Sequence, residues 1–205
     1  MAGKGTIYIR KDLGVGFIPI PKNGSSTIRK VFFNWGPDKQ DSLFSFIESP
    51  EILKENKTIA VISNPLVRFA RGITEVLERD ENKNRIRTHK FNNCPSDACK
   101  VNAVIDQIEK IGFYDPHLKP QCHFISDEDD NILEIDEIWL LGELTEKIKE
   151  LAPHYDGKRE WTKGDKKDRF LKAIRGSKEI KQRVLDLYHK DVELYLEITG
   201  EEELR

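Results

Sequence analysis

Short β-branched runs alternate along this chain with longer stretches of helical periodicity, and few folds accept that pattern. Thr58 to Ile62 (TIAVI) is too short for a helix and is typical of a parallel strand buried on both faces. Thr6 to Arg10 (TIYIR), Val15 to Ile20 (VGFIPI) and Ile135 to Leu141 (IDEIWLL) also favour strands. The order predicts an α/β three-layer fold, in which helices flank a central, mainly parallel sheet.

The helical stretches show apolar spacing together with start and stop signals. The first begins at Ser25 and is ended by Gly36 and Pro37, and the second begins at Pro65, which suits a first helical turn. Further helices are predicted over Lys100 to Ile111 and Glu143 to Leu151. Two helices are expected to close the chain, the last running from near Ser177 to Gly200.

Length and charge limit the class of protein. A chain of 205 residues fits one domain, or at most two small ones, and we expect a single domain over 1–205. The 34 basic residues are balanced by 36 acidic ones, which argues against nucleic acid as a partner held by a broad basic surface. Any anion site must therefore be local. No apolar run is long enough for a membrane helix and the start lacks the apolar core of a signal peptide, so we expect no membrane partner and a cytoplasmic protein.

The segment FIPIPKNGSSTIRK places a lysine, a glycine and three hydroxyl residues between a strand and a helix. Backbone N–H groups at a helix start, the positive end of its dipole and neighbouring hydroxyls all favour a bound anion. Gly24 lets the backbone approach closely, and Lys22 adds a full charge. Because Ser, Thr and Asn are also preferred as helix N-caps, a purely structural turn stays open as an alternative. The candidate residues are Lys22, Asn23, Gly24, Ser25, Ser26 and Thr27.

This loop is not a Walker A sequence, because the lysine precedes the glycine. PKNGSST resembles instead the P-K-x-G-[ST]-[ST] loop of sulfotransferases that use 3′-phosphoadenosine 5′-phosphosulfate (PAPS). The resemblance implies a P-loop-like fold with PAPS as donor, the 3′,5′-bisphosphate PAP as product, and no metal. It also implies that the six loop residues hold the 5′-phosphosulfate, with Lys22 acting as the catalytic cation.

A second stretch, VISNPLVRFARGI, resembles the family's R-[DN]-P-x-x-R-x-x-S segment, which holds the 3′-phosphate. Asn64, Pro65 and Arg68 match it, whereas Ser63 stands where the family has arginine and Arg71 where it has serine. We expect an exchanged pair, in which Arg71 supplies the guanidinium and Ser63 the hydroxyl. The alternative is that Arg71 is a solvated helix arginine and the 3′-phosphate site is degenerate.

The acceptor proton requires a base, usually His or Glu in this family. The candidates are His117, in DPHLKPQ, which looks like the family's H-x-x-P-Q segment, then His89 and Glu48. Lys163, in the charged stretch GKREWTKGDKK, is a candidate for closing over the donor, although such charge runs are commonly solvated loops. A small-molecule or saccharide hydroxyl is the acceptor expected by family analogy.

Three other interpretations remain open. One is a P-loop-like nucleotide kinase, and another is a non-catalytic nucleotide-binding module with a degenerate 3′-phosphate site. The third is a metal site built from Cys94, Cys99, Cys122 and His123, for which we consider buried or isolated thiols the commoner explanation.

Overall fold

The computed structural model describes residues 6–33, 55–83, 94–156 and 165–204. The chain divides into two compact units, unit 1 with residues 1–63 and 121–162, and unit 2 with residues 64–120 and 163–205. The expectation of a single domain stays a prediction. In chain order, the named helices are α1 (Ser25–Phe33), α2 (Pro65–Lys83), α3 (Asp97–Ile111), α4 (Leu144–Leu151), α5 (Asp165–Arg175), α6 (Lys178–Leu187) and α7 (His189–Thr199).

Unit 1 contains a four-stranded mixed sheet in the order β1-β2-β3-β4. Its strands are β1 (Tyr8–Arg10), β2 (Val15–Ile18), β3 (Lys57–Ile62) and β4 (Glu137–Leu140). β1 pairs antiparallel with β2, whereas the β2–β3 and β3–β4 pairs are parallel. The α/β class and the mainly parallel sheet are thus confirmed, while the three-layer arrangement stays a prediction. Parallel pairing brings the carboxyl ends of β2, β3 and β4 to one edge, where open α/β sheets commonly bind ligands.

The core of unit 1 joins the sheet to α1 and α4. The ring of Phe17 on β2 stacks on Phe32 of α1 at a centroid distance of 4.8 Å and meets the edge of Trp139 on β4 at 5.9 Å. Leu144 and Ile148 bring α4 into the same cluster. Because these rings bury large apolar areas, they fix α1 against the strand that precedes it.

Unit 2 is helical in the residues described. The apolar faces of its helices form one buried cluster, which includes Phe69 of α2, Val104 of α3, Phe170 of α5 and Val184 of α6. Tyr188, between α6 and α7, packs its ring 5.4 Å from that of Phe69. Within the described ranges, no helix is both long and apolar enough to cross a membrane.

The closing helices correct one prediction. The expected last helix from near Ser177 to Gly200 is two helices, because Tyr188 leaves helical geometry with φ −115° and ψ 25°. With α5 before them, three helices rather than two close the chain. Tyr188 also turns its hydroxyl inward, where it donates to the carbonyl of Leu118. A buried tertiary contact therefore overrides a continuous helical pattern.

Candidate functional site

The loop between β2 and α1 is a tight turn with an uncommon backbone. Asn23 N–H donates to the carbonyl of Ile20 at 3.2 Å, Pro21 occupies the second turn position, and Lys22 the third with φ +71°. A positive φ at that position normally requires glycine or asparagine. A lysine there costs about 1 kcal/mol, and backbone strain of this kind is concentrated at functional sites.

Gly24 makes the join to α1 possible. Its φ is +77°, and a side chain there would collide with Leu144 of α4. Its carbonyl accepts the N–H of Ile28 at 3.0 Å, which starts the helix. The N–H groups of the first turn have no acceptor one turn earlier and point outward from the helix end.

The start of α1 combines hydroxyl residues with a basic side chain, Arg29. The first turn of α1 contains no acidic residue, although Asp or Glu is the usual complement of a helix dipole there. Ser25 and Ser26 are half-buried, whereas Thr27 is buried, so only two of the three predicted hydroxyl residues are partly open to solvent. Arg29 donates from Nε to the carbonyl of Ser25 at 3.2 Å and from Nη2 to Ser26 Oγ at 3.4 Å. The sequence reasoning missed Arg29, whose only signal is its spacing one turn after the serines.

A buried amide network holds the loop against the end of β3. Asn23 Nδ2 donates to the carbonyl of Val61 at 2.8 Å and to Gln121 Oε1 at 2.5 Å. Ser63 Oγ donates to Asn23 Oδ1 at 2.8 Å. Gln121 also bonds the backbone of Ser63 on both sides, accepting its N–H at 2.8 Å and donating to its carbonyl at 3.0 Å. Asn23 is therefore a support of the loop, and Gln121 is a second support that sequence reasoning did not select.

The residues predicted to hold the 3′-phosphate are divided between the two units. The Ser63 hydroxyl is buried and directed at Asn23. Arg68 is 0% exposed, and its Nη1 donates to the carbonyl of Lys119 at 2.6 Å within unit 2. Arg71 is half-buried on α2. Because Ser63 belongs to unit 1 and both arginines to unit 2, the exchanged pair stays a prediction.

His117 is the one candidate base within the described residues. It lies in unit 2, where it contacts the carboxylate of Asp115. His89 and Glu48 lie outside the described residues, as does Lys163.

The three cysteines are divided between the two units. The Cys94 thiol hydrogen-bonds Cys99, which raises the pKa of Cys94, and both are half-buried near the start of α3. Cys122 is buried in unit 1. Among the residues that the structure describes, no group of three or more His, Cys, Asp or Glu side chains is arranged to hold a metal ion.

Comparisons of the chain with protein-family models, with curated proteins and with solved structures return no match.

Proposed function

We propose that this protein is a sulfotransferase, which moves a sulfuryl group from PAPS to an acceptor hydroxyl, with a saccharide-like acceptor as first expectation. One observation carries the proposal. Lys22 stands in a strained left-handed conformation at the carboxyl end of β2, immediately before a helix start that lacks an acidic residue. That arrangement suits the phosphate end of an anionic donor.

The reaction mainly requires that the reactants are positioned and that the developing charge is stabilised, as in phosphoryl transfer. The acceptor oxygen attacks sulfur, the bond between sulfur and the bridging oxygen breaks, and negative charge grows on the departing phosphate. Lys22 would neutralise that charge, and the first N–H groups of α1 with Ser25 and Ser26 would hold the phosphate oxygens. Among the described residues, His117 stays the candidate for the base that the acceptor proton requires.

A second candidate function is a non-catalytic nucleotide-binding module. The orientation of the Ser63 hydroxyl toward Asn23 and the burial of Arg68 favour it, because both residues are engaged in internal hydrogen bonds. With each side chain so engaged, the 5′ end of a nucleotide would be held more firmly than a 3′-phosphate.

Titration with PAP, followed by calorimetry and thermal stability, tests the donor site. We expect PAP to raise the melting temperature, and Lys22→Ala to weaken binding at least tenfold, or about 1.4 kcal/mol. The matched control is Lys11→Ala, because Lys11 is an exposed lysine in the turn at the opposite end of β2. Its PAP affinity should remain within about twofold of wild type.

Other outcomes separate the alternatives. No stabilisation by millimolar PAP contradicts the proposal, and stabilisation by ATP with Mg²⁺ instead favours a nucleotide kinase. Binding of PAP without transfer of labelled sulfate to any acceptor in a hydroxyl panel favours the binding module. An unchanged PAP affinity in Arg71→Ala contradicts the exchanged pair alone.

A further inference from the structure

Two cysteines of unit 2 lie in contact at the start of α3. The Cys94 thiol hydrogen-bonds the sulfur of Cys99, and both side chains are half-buried. Pro95 and Ser96, between them in the chain, are exposed, so the segment lies at the surface. Among the described residues, the buried apolar cluster of unit 2 takes Val101 from the same helix but neither cysteine. The two thiols are therefore neither buried in the core nor isolated from each other.

The helix cap holds the two thiols in contact. Ser96 Oγ accepts the backbone N–H of Cys99 at 3.2 Å, and the Ser96 carbonyl accepts the N–H of Lys100 at 3.1 Å. Cys99 thus belongs to the first turn of α3, whereas Cys94 precedes the cap and lies against that turn. Close approach of the two sulfur atoms on a fixed backbone is what a disulfide requires.

The surroundings distinguish the two sulfur atoms. Hydrogen bonding to Cys99 raises the pKa of the Cys94 thiol, so Cys94 keeps its proton and donates it. Cys99 accepts in the first turn of a helix, where the dipole favours a thiolate. Asp97 opposes this effect in the same turn, but its carboxylate lies 3.7 Å from Arg169 Nε of α5, which offsets its charge. Cys99 is thus the better nucleophile, and Cys94 is placed to react with it afterwards.

We propose that Cys94 and Cys99 form a reversible oxidation site, in which a hydroperoxide such as hydrogen peroxide converts the two thiols into one disulfide. The Cys99 thiolate attacks one peroxide oxygen, the O–O bond breaks, and hydroxide leaves and takes up the proton that Cys99 had lost. The Cys94 thiol then attacks the sulfenic sulfur, the S–O bond breaks, and the departing hydroxide takes the Cys94 proton. Two thiols lose two electrons, and one hydrogen peroxide becomes two molecules of water.

The short span of the disulfide favours reversal. Its ring contains only residues 94–99, and the stabilisation that a disulfide gives decreases with the length of chain that it closes. A small dithiol therefore regenerates both thiols by thiol–disulfide exchange. The site needs no part of the β2–α1 loop in unit 1, so it goes beyond the proposed function and can be tested without PAPS or an acceptor.

Peptide mapping of the full chain tests the disulfide directly. The reduced protein is treated with equimolar hydrogen peroxide, unfolded, alkylated and cleaved with trypsin. Residues 91–100 follow Lys90 and end at Lys100, so one peptide contains both cysteines and Cys122 lies in another. We expect the first peptide to lose the mass of two hydrogen atoms and to resist alkylation, and dithiothreitol to reverse both changes. Cys122 is only 4% exposed in the folded chain, and should be alkylated fully as the internal control.

Single variants separate the roles of the two thiols. In Cys94→Ser, Cys99 should stop at the sulfenic acid, which a cyclic 1,3-diketone traps, because no second thiol follows. In Cys99→Ser, the sulfenic acid at Cys94 should form about tenfold more slowly, because Cys94 lies outside the helix turn and serine still accepts its hydrogen bond. Equal rates of trapping in the two variants would contradict Cys99 as the attacking thiol.

The helix caps of unit 2 provide a matched pair of controls for the geometry. Ser96→Ala removes the cap that holds the segment, and we expect the disulfide to form about fivefold more slowly. Ser177 caps α6 in the same way, accepting the N–H of Ile180 at 3.3 Å. Ser177→Ala should lower the melting temperature by a similar amount and leave the rate of disulfide formation within about twofold of wild type. Equal slowing in both variants would contradict a specific role for the Ser96 cap.

Three results in the wild-type protein would overturn the proposal. They are full alkylation of both cysteines after peroxide treatment, a disulfide that joins two chains on a non-reducing gel, and sulfinic acid at either cysteine without a disulfide. Each would show that contact between Cys94 and Cys99 does not lead to a bond within the chain. None of them bears on PAP binding, which Lys22→Ala tests separately.

Discussion

Two loops of this protein each carry a side chain that we propose to take part in the reaction. One loop is held by a residue of its own, and the other by residues outside it. The β2–α1 loop in unit 1 is held by Asn23, a residue of the loop itself, which bonds the end of β3. The turn over 115–119 in unit 2 is held from outside, by Tyr188 and Arg68 bonding its carbonyls.

The difference extends to the backbone of the acting residue. Lys22 has a positive φ that lysine disfavours, so its loop must be forced into place by the buried amides beneath it. His117 follows a proline in an ordinary turn, where Asp115 Oδ1 accepts its backbone N–H and contacts its ring Nδ1. Strain therefore accompanies the proposed anion site, whereas the candidate base has no positive φ and lies beside a carboxylate.

Asn23→Ala should produce the largest change, because it removes the support of the strained loop. The substitution deprives the Val61 carbonyl, the Ser63 hydroxyl and Gln121 Oε1 of a buried partner. We expect a loss of about 3 kcal/mol in the free energy of unfolding, measured by urea denaturation. Asn131→Ala, at an exposed asparagine, should cost about 0.5 kcal/mol or less. Equal losses in the two variants would show that the buried network is not a support.

Tyr188→Phe removes a support of the second loop. Burial raises the pKa of Tyr188 far above its ordinary value, so the hydroxyl stays a donor at every pH of interest. Without it, the buried carbonyl of Leu118 loses its partner, at a cost of about 1 to 2 kcal/mol. Hydrogen exchange should become faster at His117 and Leu118 and stay unchanged at Asn23. Tyr195→Phe, at a half-buried tyrosine of α7, should have a small effect, and a similar loss there would contradict a specific role for Tyr188.

Local pattern predicted the elements well. TIAVI is the central strand β3, the helix from Pro65 is α2, and the predicted start of α1 at Ser25 is confirmed. α3 begins at Asp97 rather than Lys100, because Ser96 caps it by accepting the N–H of Cys99. That cap is a local signal which the apolar spacing did not include.

The residues that support both loops could not be predicted from local sequence pattern. Gln121 bonds Ser63 across 58 positions of sequence, and Arg68 bonds Lys119 across 51. Arginine side chains are mostly exposed unless they are paired. The burial of Arg68 could not be predicted, because its partner is a carbonyl group distant in sequence. The residues proposed to act were chosen from chain order and chemistry and stay predictions, whereas the groups that position them depend on tertiary contacts.

Lys22→Gly should separate strain from function. Glycine adopts a positive φ without cost, and this relief exceeds the entropy that glycine loses on folding. We expect a gain of about 0.5 to 1 kcal/mol in the free energy of unfolding together with loss of PAP binding. Lys22→Ala should lose PAP binding without the gain in the free energy of unfolding. A destabilised Lys22→Gly variant would mean that the lysine side chain contributes more to the fold than its backbone strain costs.

The smallest effect is expected at an exposed ion pair, which tests whether buried bonds rather than surface charges support unit 1. Glu137 on β4 accepts from Lys57 Nζ at 2.6 Å and from Trp139 Nε1 at 2.8 Å, and these contacts lower the pKa of Glu137. A lowered folded-state pKa gives a contribution that is present at neutral pH and is lost as the pH falls through that pKa. Because both charged side chains are more than a third exposed, Glu137→Gln should cost only about 0.5 kcal/mol at neutral pH. The difference from wild type should shrink as the pH falls from the ordinary Glu pKa of about 4.3 through the lowered folded-state pKa, measured by urea denaturation across that range. A cost as large as that of Asn23→Ala would place the main support of unit 1 at its surface.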